Sequence, residues 1–171
     1  LMIQSSHECL DSAFLLPVRQ SIREQGIPPR IGQSCVVGNN LVYFFGGMRD
    51  TGEMVEGDDS FLVYNISSSL WKNEGTQDAP IRKFHAAVHS LKGMYIFGGT
   101  LNKIPKNDIW FYQYKTKTWK QIHSRNQAPH PRYGHSMIIS NERLYVFGGY
   151  SQIENRFYYN NQLCIFDLRK F

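Results

Sequence analysis

The hydrophobic residues of this chain gather in short runs separated by polar turns, and one run recurs three times. Val42-Tyr43-Phe44-Phe45-Gly46-Gly47, Met94-Tyr95-Ile96-Phe97-Gly98-Gly99 and Leu144-Tyr145-Val146-Phe147-Gly148-Gly149 all read apolar, Tyr, apolar, Phe, Gly, Gly. Short runs of this composition, closed by glycines, predict strands. Side chains alternate along a strand, so Tyr43 and Phe45 share one face and Val42 and Phe44 the other. Both faces are apolar, which predicts sheets stacked face to face. The glycine pair fits a strand end, where the missing Cβ permits positive φ and leaves room for a neighbour.

Two further elements keep step with the first. Upstream stand Arg30-Ile31-Gly32-Gln33-Ser34, Arg82-Lys83-Phe84-His85-Ala86 and Arg132-Tyr133-Gly134-His135-Ser136, each preceded closely by Pro. Downstream, an aromatic is followed seven positions later by Trp, as Tyr64 to Trp71 and Tyr112 to Trp119; Phe166 opens a third copy. The apolar runs Ser34 to Val37, Ala86 to Leu91 and Ser136 to Ile139 predict a strand before each glycine-ended one. Gly38-Asn39-Asn40, Lys92-Gly93 and Ser140-Asn141-Glu142 would supply the hairpin turns. A variable loop then leads to a third strand ending in the aromatic. A polar turn, Ser67-Ser68-Ser69 or Lys115-Thr116-Lys117, leads to a fourth strand opening with the Trp. The expected unit is a four-stranded antiparallel meander with the Trp packed between sheets.

Composition supports an all-β fold with a real core: 42% of residues are hydrophobic, 14% aromatic and only 19% charged. The net charge of +5 is unevenly spread. Asp50, Glu53, Glu56, Asp58 and Asp59 crowd one stretch, while Lys103, Lys106, Lys115, Lys117, Lys120 and Arg125 crowd another, so the two regions can face different partners. Cys9, Cys35 and Cys164 are odd in number and form no CxxC pair, which points to a reducing, cytoplasmic setting instead of a disulfide framework or thiolate zinc site. No apolar run is long enough to span a bilayer, and polar and charged residues are scattered through the opening Leu1 to Leu10, so neither a membrane segment nor a signal peptide is expected.

The double glycine, the upstream Arg and the Tyr-to-Trp interval together resemble the kelch repeat family over residues 28–171. The resemblance implies kelch-type β-propeller blades, divided here as 28–78, 79–127 and 128–171, the last without its final strand. Residues 1–27 fit as the last strand of a preceding blade and a linker: Ala13 to Leu16 is strand-like, and Arg19 stands where a Trp would. Propellers close with about four to eight blades. Three open blades would leave two apolar sheet faces bare, so an incomplete propeller, part of a larger one, is expected. The Arg-x-Gly-His wording of the third copy is closer to kelch proteins with long, irregular loops than to those attached to BTB domains.

Little in the sequence points to catalysis. His85 and His89 stand four apart and would share a strand face, but His85 holds the same repeat position as His135, which the framework explains; Glu56, Asp58 and Asp59 are close but lack an EF-hand's alternation. There is no phosphate loop, nucleophile elbow or HExxH pattern. No cofactor or metal is expected. Some kelch propellers are enzymes, galactose oxidase among them, so a kelch portion of an enzyme is the alternative. The resemblance implies instead a protein-interaction module in a scaffold, a cytoskeletal assembly or a ubiquitin-ligase adaptor, with other proteins as partners and not a membrane or nucleic acid. Partners of such blades bind at the end bearing the loops after the glycines. Those loops differ: Met48 to Ser60 is acidic, Thr100 to Asn107 carries Lys103 and Lys106, and Tyr150 to Asn161 holds Tyr150, Arg156, Tyr158 and Tyr159. Tyr and Arg dominate interface hot spots, which makes the third loop the first choice for contact. The connections Asn73 to Pro80 and His123 to Pro131 would complete the surface.

Overall fold

A computed structural model describes residues 27–75, 78–123, 128–153 and 156–170. The strand expected within residues 1–27, and Arg125 of the basic stretch, lie outside the described residues. The first sheet contains β1 (Ser34–Gly38), β2 (Leu41–Phe45), β3 (Phe61–Asn65) and β4 (Leu70–Asn73), in the order β1-β2-β3-β4. The second contains β5 (Ala86–Ser90) and β6 (Gly93–Phe97), a small hairpin of β7 (Thr100–Leu101) and β8 (Ile104–Pro105), then β9 (Ile109–Gln113) and β10 (Thr118–Ile122). Its sheet order is β5-β6-β9-β10, an antiparallel meander like the first. The third contains β11 (Ser136–Ser140) and β12 (Arg143–Phe147), a hairpin of β13 (Tyr150–Ile153) and β14 (Arg156–Tyr159), and β15 (Leu163–Asp167). Its main sheet has three strands, β11-β12-β15. The chain is an all-β arc of kelch-type blades, a partial propeller.

The turns follow the expected chemistry with small shifts. Asn39-Asn40 and Asn141-Glu142, all at positive φ, close the first and third hairpins. In the second, Leu91 lies in the turn and is 91% exposed, while Gly93 opens β6. Gly93 is held there by crowding: a Cβ on it would come 2.1 Å from the Tyr112 carbonyl oxygen.

Alternation along the strands builds the two cores. Val36, Tyr43, Phe45, Phe61 and Val63 project from the first sheet onto Met94, Ile96, Tyr112 and Trp119 of the second. Trp119 thus packs between sheets, its ring 4.5 Å from that of Phe45. The opposite face of the second sheet sets Val88, Phe97 and Ile109 against Met137, Leu144, Val146 and Phe166 of the third. Burying side chains of this size contributes roughly 1.5–3 kcal/mol each.

Backbone hydrogen bonds stitch the inner edges of neighbouring blades in a repeated pattern. Gly47 N–H donates to the Arg82 carbonyl, and Gly99 N–H to the Arg132 carbonyl, each at 2.9 Å. Phe84 N–H donates to the Gly32 carbonyl, and Gly134 N–H to the Phe84 carbonyl. The ring of His85 meets Phe45 edge-on, as His135 meets Phe97. The outer face of the third sheet has no such neighbour among the described residues. Ile138, Phe147, Leu163 and Ile165 are all more than half exposed there, although Phe45 and Phe97, the counterparts of Phe147, are wholly buried.

In the second and third blades the framework Arg ties the blade to its own glycine pair, whereas Arg30 of the first reaches the Asp59 carbonyl. Arg82 donates to the Gly98 carbonyl at 2.8 Å and forms a two-pronged ion pair with Asp108, at 2.7 and 2.9 Å. Burial by itself would raise the Asp108 carboxyl, but the hydrogen bonds and charge of Arg82, with the Trp110 indole, hold it below the ordinary carboxylate range. Arg132, wholly buried, reaches the carbonyls of Gly148 and His130.

The framework histidines make the fold acid-sensitive. Burial first, then the nearby Arg82 charge, lowers His85 from 6.5 to about 3; burial and Arg132 lower His135 to about 4. A histidine depressed in the folded state is protonated first in the unfolded chain, so its stabilising share is complete above pH 6.5 and is lost as pH falls toward the folded value. Unfolding free energy is therefore expected to fall as pH drops from 6.5 toward about 4, by up to ~1.4 kcal/mol per pH unit for each histidine, with the melting temperature falling in step. Melts of His85→Gln across that range should show a shallower slope than the parent; an equal slope would contradict the assignment.

Candidate functional site

In a meander the loop after the glycine pair and the connection to the next blade emerge at one end, and the contacts show them meeting there. Isolated bridges join Ile31 to Met48, Lys83 to Thr100 and Tyr133 to Tyr150, each pairing the residue after the framework Arg with the residue after the glycines. Gly75 of the first connection sits against the backbone of Gly57 and Asp58, and Asn107 donates to the Pro129 carbonyl of the second connection.

The acidic loop of the first blade divides. Asp50, Glu53, Glu56 and Asp58 are exposed. Asp59 is half-buried and engaged: its carboxylate pairs with Arg49 at 2.9 Å, and its carbonyl accepts from Arg30 at 2.7 Å. In the second blade Lys103 stands exposed in the tight turn between β7 and β8, with Asn102 and Lys103 both at positive φ. Lys106 is half-buried, and its backbone works as framework, donating to the Gly99 carbonyl and accepting from Arg132 N–H.

The third loop folds as the β13–β14 hairpin. Its register puts Tyr150, Gln152, Phe157 and Tyr159 on one face and Ser151, Tyr158 and Arg156 on the other. Tyr150 is half-buried: it stacks on Phe157 at 5.2 Å and 11° and meets Tyr133 edge-on at 5.3 Å. Ser151, wholly buried, donates to the Pro131 carbonyl and accepts from Asn160, which anchors the base. From that base Arg156, Phe157, Tyr158 and Tyr159 all reach solvent, Tyr159 at 89% exposure.

Between the second and third blades lies a groove of about 480 Å³. Phe84, Tyr133 and Phe157 give it aromatic walls, Gln152 and Thr100 contribute polar atoms, and Lys83 and Lys103 stand at its edge. The Lys83 ammonium lies 5.7 Å from the Phe84 ring centre and 2.6 Å from the Met48 sulfur. Among the described residues no carboxylate pairs with either lysine. Burial, followed by the neighbouring Tyr150 and Tyr159, raises the Tyr133 phenol, which keeps it neutral.

Phe84 is the position in this groove that the repeat does not explain. Its φ is +56°, in the left-handed region, where the sister repeats carry Gly32 at +74° and Gly134 at +65°. A non-glycine residue there costs roughly 1–2 kcal/mol. Reading the sequence element by element missed Lys83, Phe84, Tyr133 and Phe157. The signal was a bulky ring at a position held by glycine in the other two copies.

His85 and His89 do not converge: His85 Nε2 is 2.8 Å from Ser34 Oγ, and His89 Nδ1 is 2.8 Å from the Tyr114 hydroxyl. Among the described residues, no group of three or more His, Cys, Asp or Glu is placed to hold a metal ion, and no helix is long and apolar enough to cross a membrane.

Stacked antiparallel meanders, with glycine pairs tethered by Arg82 and Arg132 and with Trp119 and Phe166 packed between sheets, define a repeat protein of the β-propeller class. The model of the KLHDC2/KLHL20/DRC7 Kelch-repeats domain matches residues 15–171, and the chain belongs to this kelch repeat family. It is similar to Kelch domain-containing protein 10 of Xenopus tropicalis, at 30% identity over 84% of this chain and 38% of that protein. It is also similar to Tip elongation aberrant protein 3 of Schizosaccharomyces pombe, at 29% over 88% of this chain and 13% of that protein. The dynein alpha chain of the flagellar outer arm of Chlamydomonas reinhardtii matches at 32% over 71% of this chain and 3% of its own length. The chain thus spans well under half of these relatives. Kelch repeats are generally a non-catalytic module that mediates protein–protein interaction.

Proposed function

We propose that this chain forms part of a protein-interaction module that holds partner proteins at the loop end of its blades, chiefly through the β13–β14 hairpin. The observation that carries this reading is the exposure of Arg156, Phe157, Tyr158 and Tyr159 on a base fixed by Ser151 and Asn160. Exposed aromatics beside Arg are the residue types that concentrate binding energy at interfaces, and a rigid sheet beneath them keeps the ordering cost low. Lys103 and the exposed acids Asp50, Glu53, Glu56 and Asp58 lie on the post-glycine loops of the other blades and would set the charge pattern of this end. Asp59 and Lys106 support the surface through the backbone and ion-pair contacts described above.

With blade boundaries at 78/79 and 127/128, each blade contributes one post-glycine loop to this end. The module fits a scaffold, a cytoskeletal assembly or a ubiquitin-ligase adaptor, and the free thiols of Cys35 and Cys164 favour a cytoplasmic setting. The test is a pull-down with the full-length protein against its Arg156→Ala/Tyr158→Ala/Tyr159→Ala variant. Loss of partners from the variant, with its melting temperature retained, is expected; an unchanged partner set would refute this surface.

A further inference from the structure

Resting on the protein-binding reading above, we infer that the groove between the second and third blades takes an acidic peptide segment, with an apolar side chain between the rings and carboxylates at the lysines. Three features specify that ligand. Phe84, Tyr133 and Phe157 offer faces suited to an inserted aromatic or branched side chain, with Gln152 beside them to bond a peptide group. Lys83 and Lys103 put two positive charges at the edge, and no carboxylate among the described residues pairs with them, so a carboxylate brought by a ligand finds free partners. Lys83 has only a thioether and a ring face for company, which are weak substitutes for an anion.

The third feature is Phe84 itself. The backbone ladder between blades needs a left-handed residue at this position, and glycine serves in both sister copies. The strained Phe buys nothing for that ladder, since its N–H and carbonyl make the same bonds a glycine would. The ring covers Gly32 of the first blade and also forms the groove wall facing Tyr133, 6.3 Å between ring centres. Strain that the backbone ladder does not require is a mark of binding sites.

Fluorescence anisotropy tests the assignment, using the full-length protein and a labelled Asp-Glu-Phe-Glu-Asp-Leu peptide capped at both ends so that only side-chain carboxylates are offered. One control peptide replaces every acid with Lys, and another replaces Phe and Leu with Ala. The acidic aromatic peptide is expected to bind about tenfold or more tightly than either control, and to weaken as salt rises. Lys83→Gln with Lys103→Gln should flatten the salt dependence. Phe84→Gly should weaken binding while leaving the melting temperature undiminished, a combination that a merely structural Phe84 would not give. Equal binding of the three peptides, binding of none, or a Phe84→Gly variant with full affinity would overturn the proposal. If the peptide fails while the hairpin variant still loses its partners in the pull-down, the ligand class is wrong and the interaction surface stands. If the hairpin variant keeps every partner, the broader reading falls whichever peptide binds.

Discussion

Alanine at Gly98 is expected to destabilise the 171-residue chain far more than alanine at Gly148, although both are the first glycine of the same motif. Their backbones are alike, with φ of +64° and +74°, so each variant carries a left-handed penalty of roughly 1–2 kcal/mol. The surroundings differ. A Cβ on Gly98 would lie 2.6 Å from the Arg132 carbonyl oxygen and 2.8 Å from the His135 ring. Neither can yield, because that carbonyl accepts from Gly99 and that ring is wedged on Phe97. The overpacking adds about 1–3 kcal/mol. At Gly148 the nearest atom, the Asn160 carbonyl oxygen, is 3.7 Å away, and no further blade packs there among the described residues. Urea denaturation of the two variants reads the difference, and equal costs would refute the geometric account. In a longer polypeptide that supplies a further blade over Ile138, Phe147, Leu163 and Ile165, Gly148→Ala is expected to become as damaging as Gly98→Ala.

The second large effect is expected at Asp108. Its carboxylate is the two-pronged partner of Arg82, which is 4% exposed, and it also accepts from the Trp110 indole at 2.7 Å. Asp108→Ala leaves a buried guanidinium with the Gly98 carbonyl as its remaining partner, and breaking a buried ion pair from one side costs about 3–5 kcal/mol. Because Asp108 retains some exposure and water can reach the gap, the lower end of that range is expected. Asp108→Asn, which keeps an acceptor for Arg82, should lose less. Arg132 provides the internal comparison: it has no carboxylate partner among the described residues and gives Nε and Nη1 to two carbonyls instead. Denaturation midpoints of the two Asp108 variants would decide, and a neutral Asp108→Ala would show that the pair adds nothing to stability.

The sequence by itself determined the repeat, and through it the meander strands, the all-β class and the family, with the turns close to place; the β7–β8 and β13–β14 hairpins fell where it read loops. The repeat was legible because strand alternation, turn residues and positive-φ glycines are local requirements, each satisfied by a few neighbouring residues and written three times over. Even the interblade position of Trp119 followed from its place in the repeat. The roles within the loops were decided otherwise. Asp59 read as a free charge, and contacts with Arg30 and Arg49 engage it, while the backbone of Lys106 joins the framework through Gly99 and Arg132. The groove left one trace in the sequence, Phe84 where the sister copies carry glycine, but its assembly was not legible, because Lys83, Phe84, Lys103, Tyr133 and Phe157 meet only when two blades pack side by side. The packing of one sheet on the next, which fixes where loop ends converge, is a tertiary quantity. The repeat specified what each blade is, and the juxtaposition of blades decided which side chains form a surface.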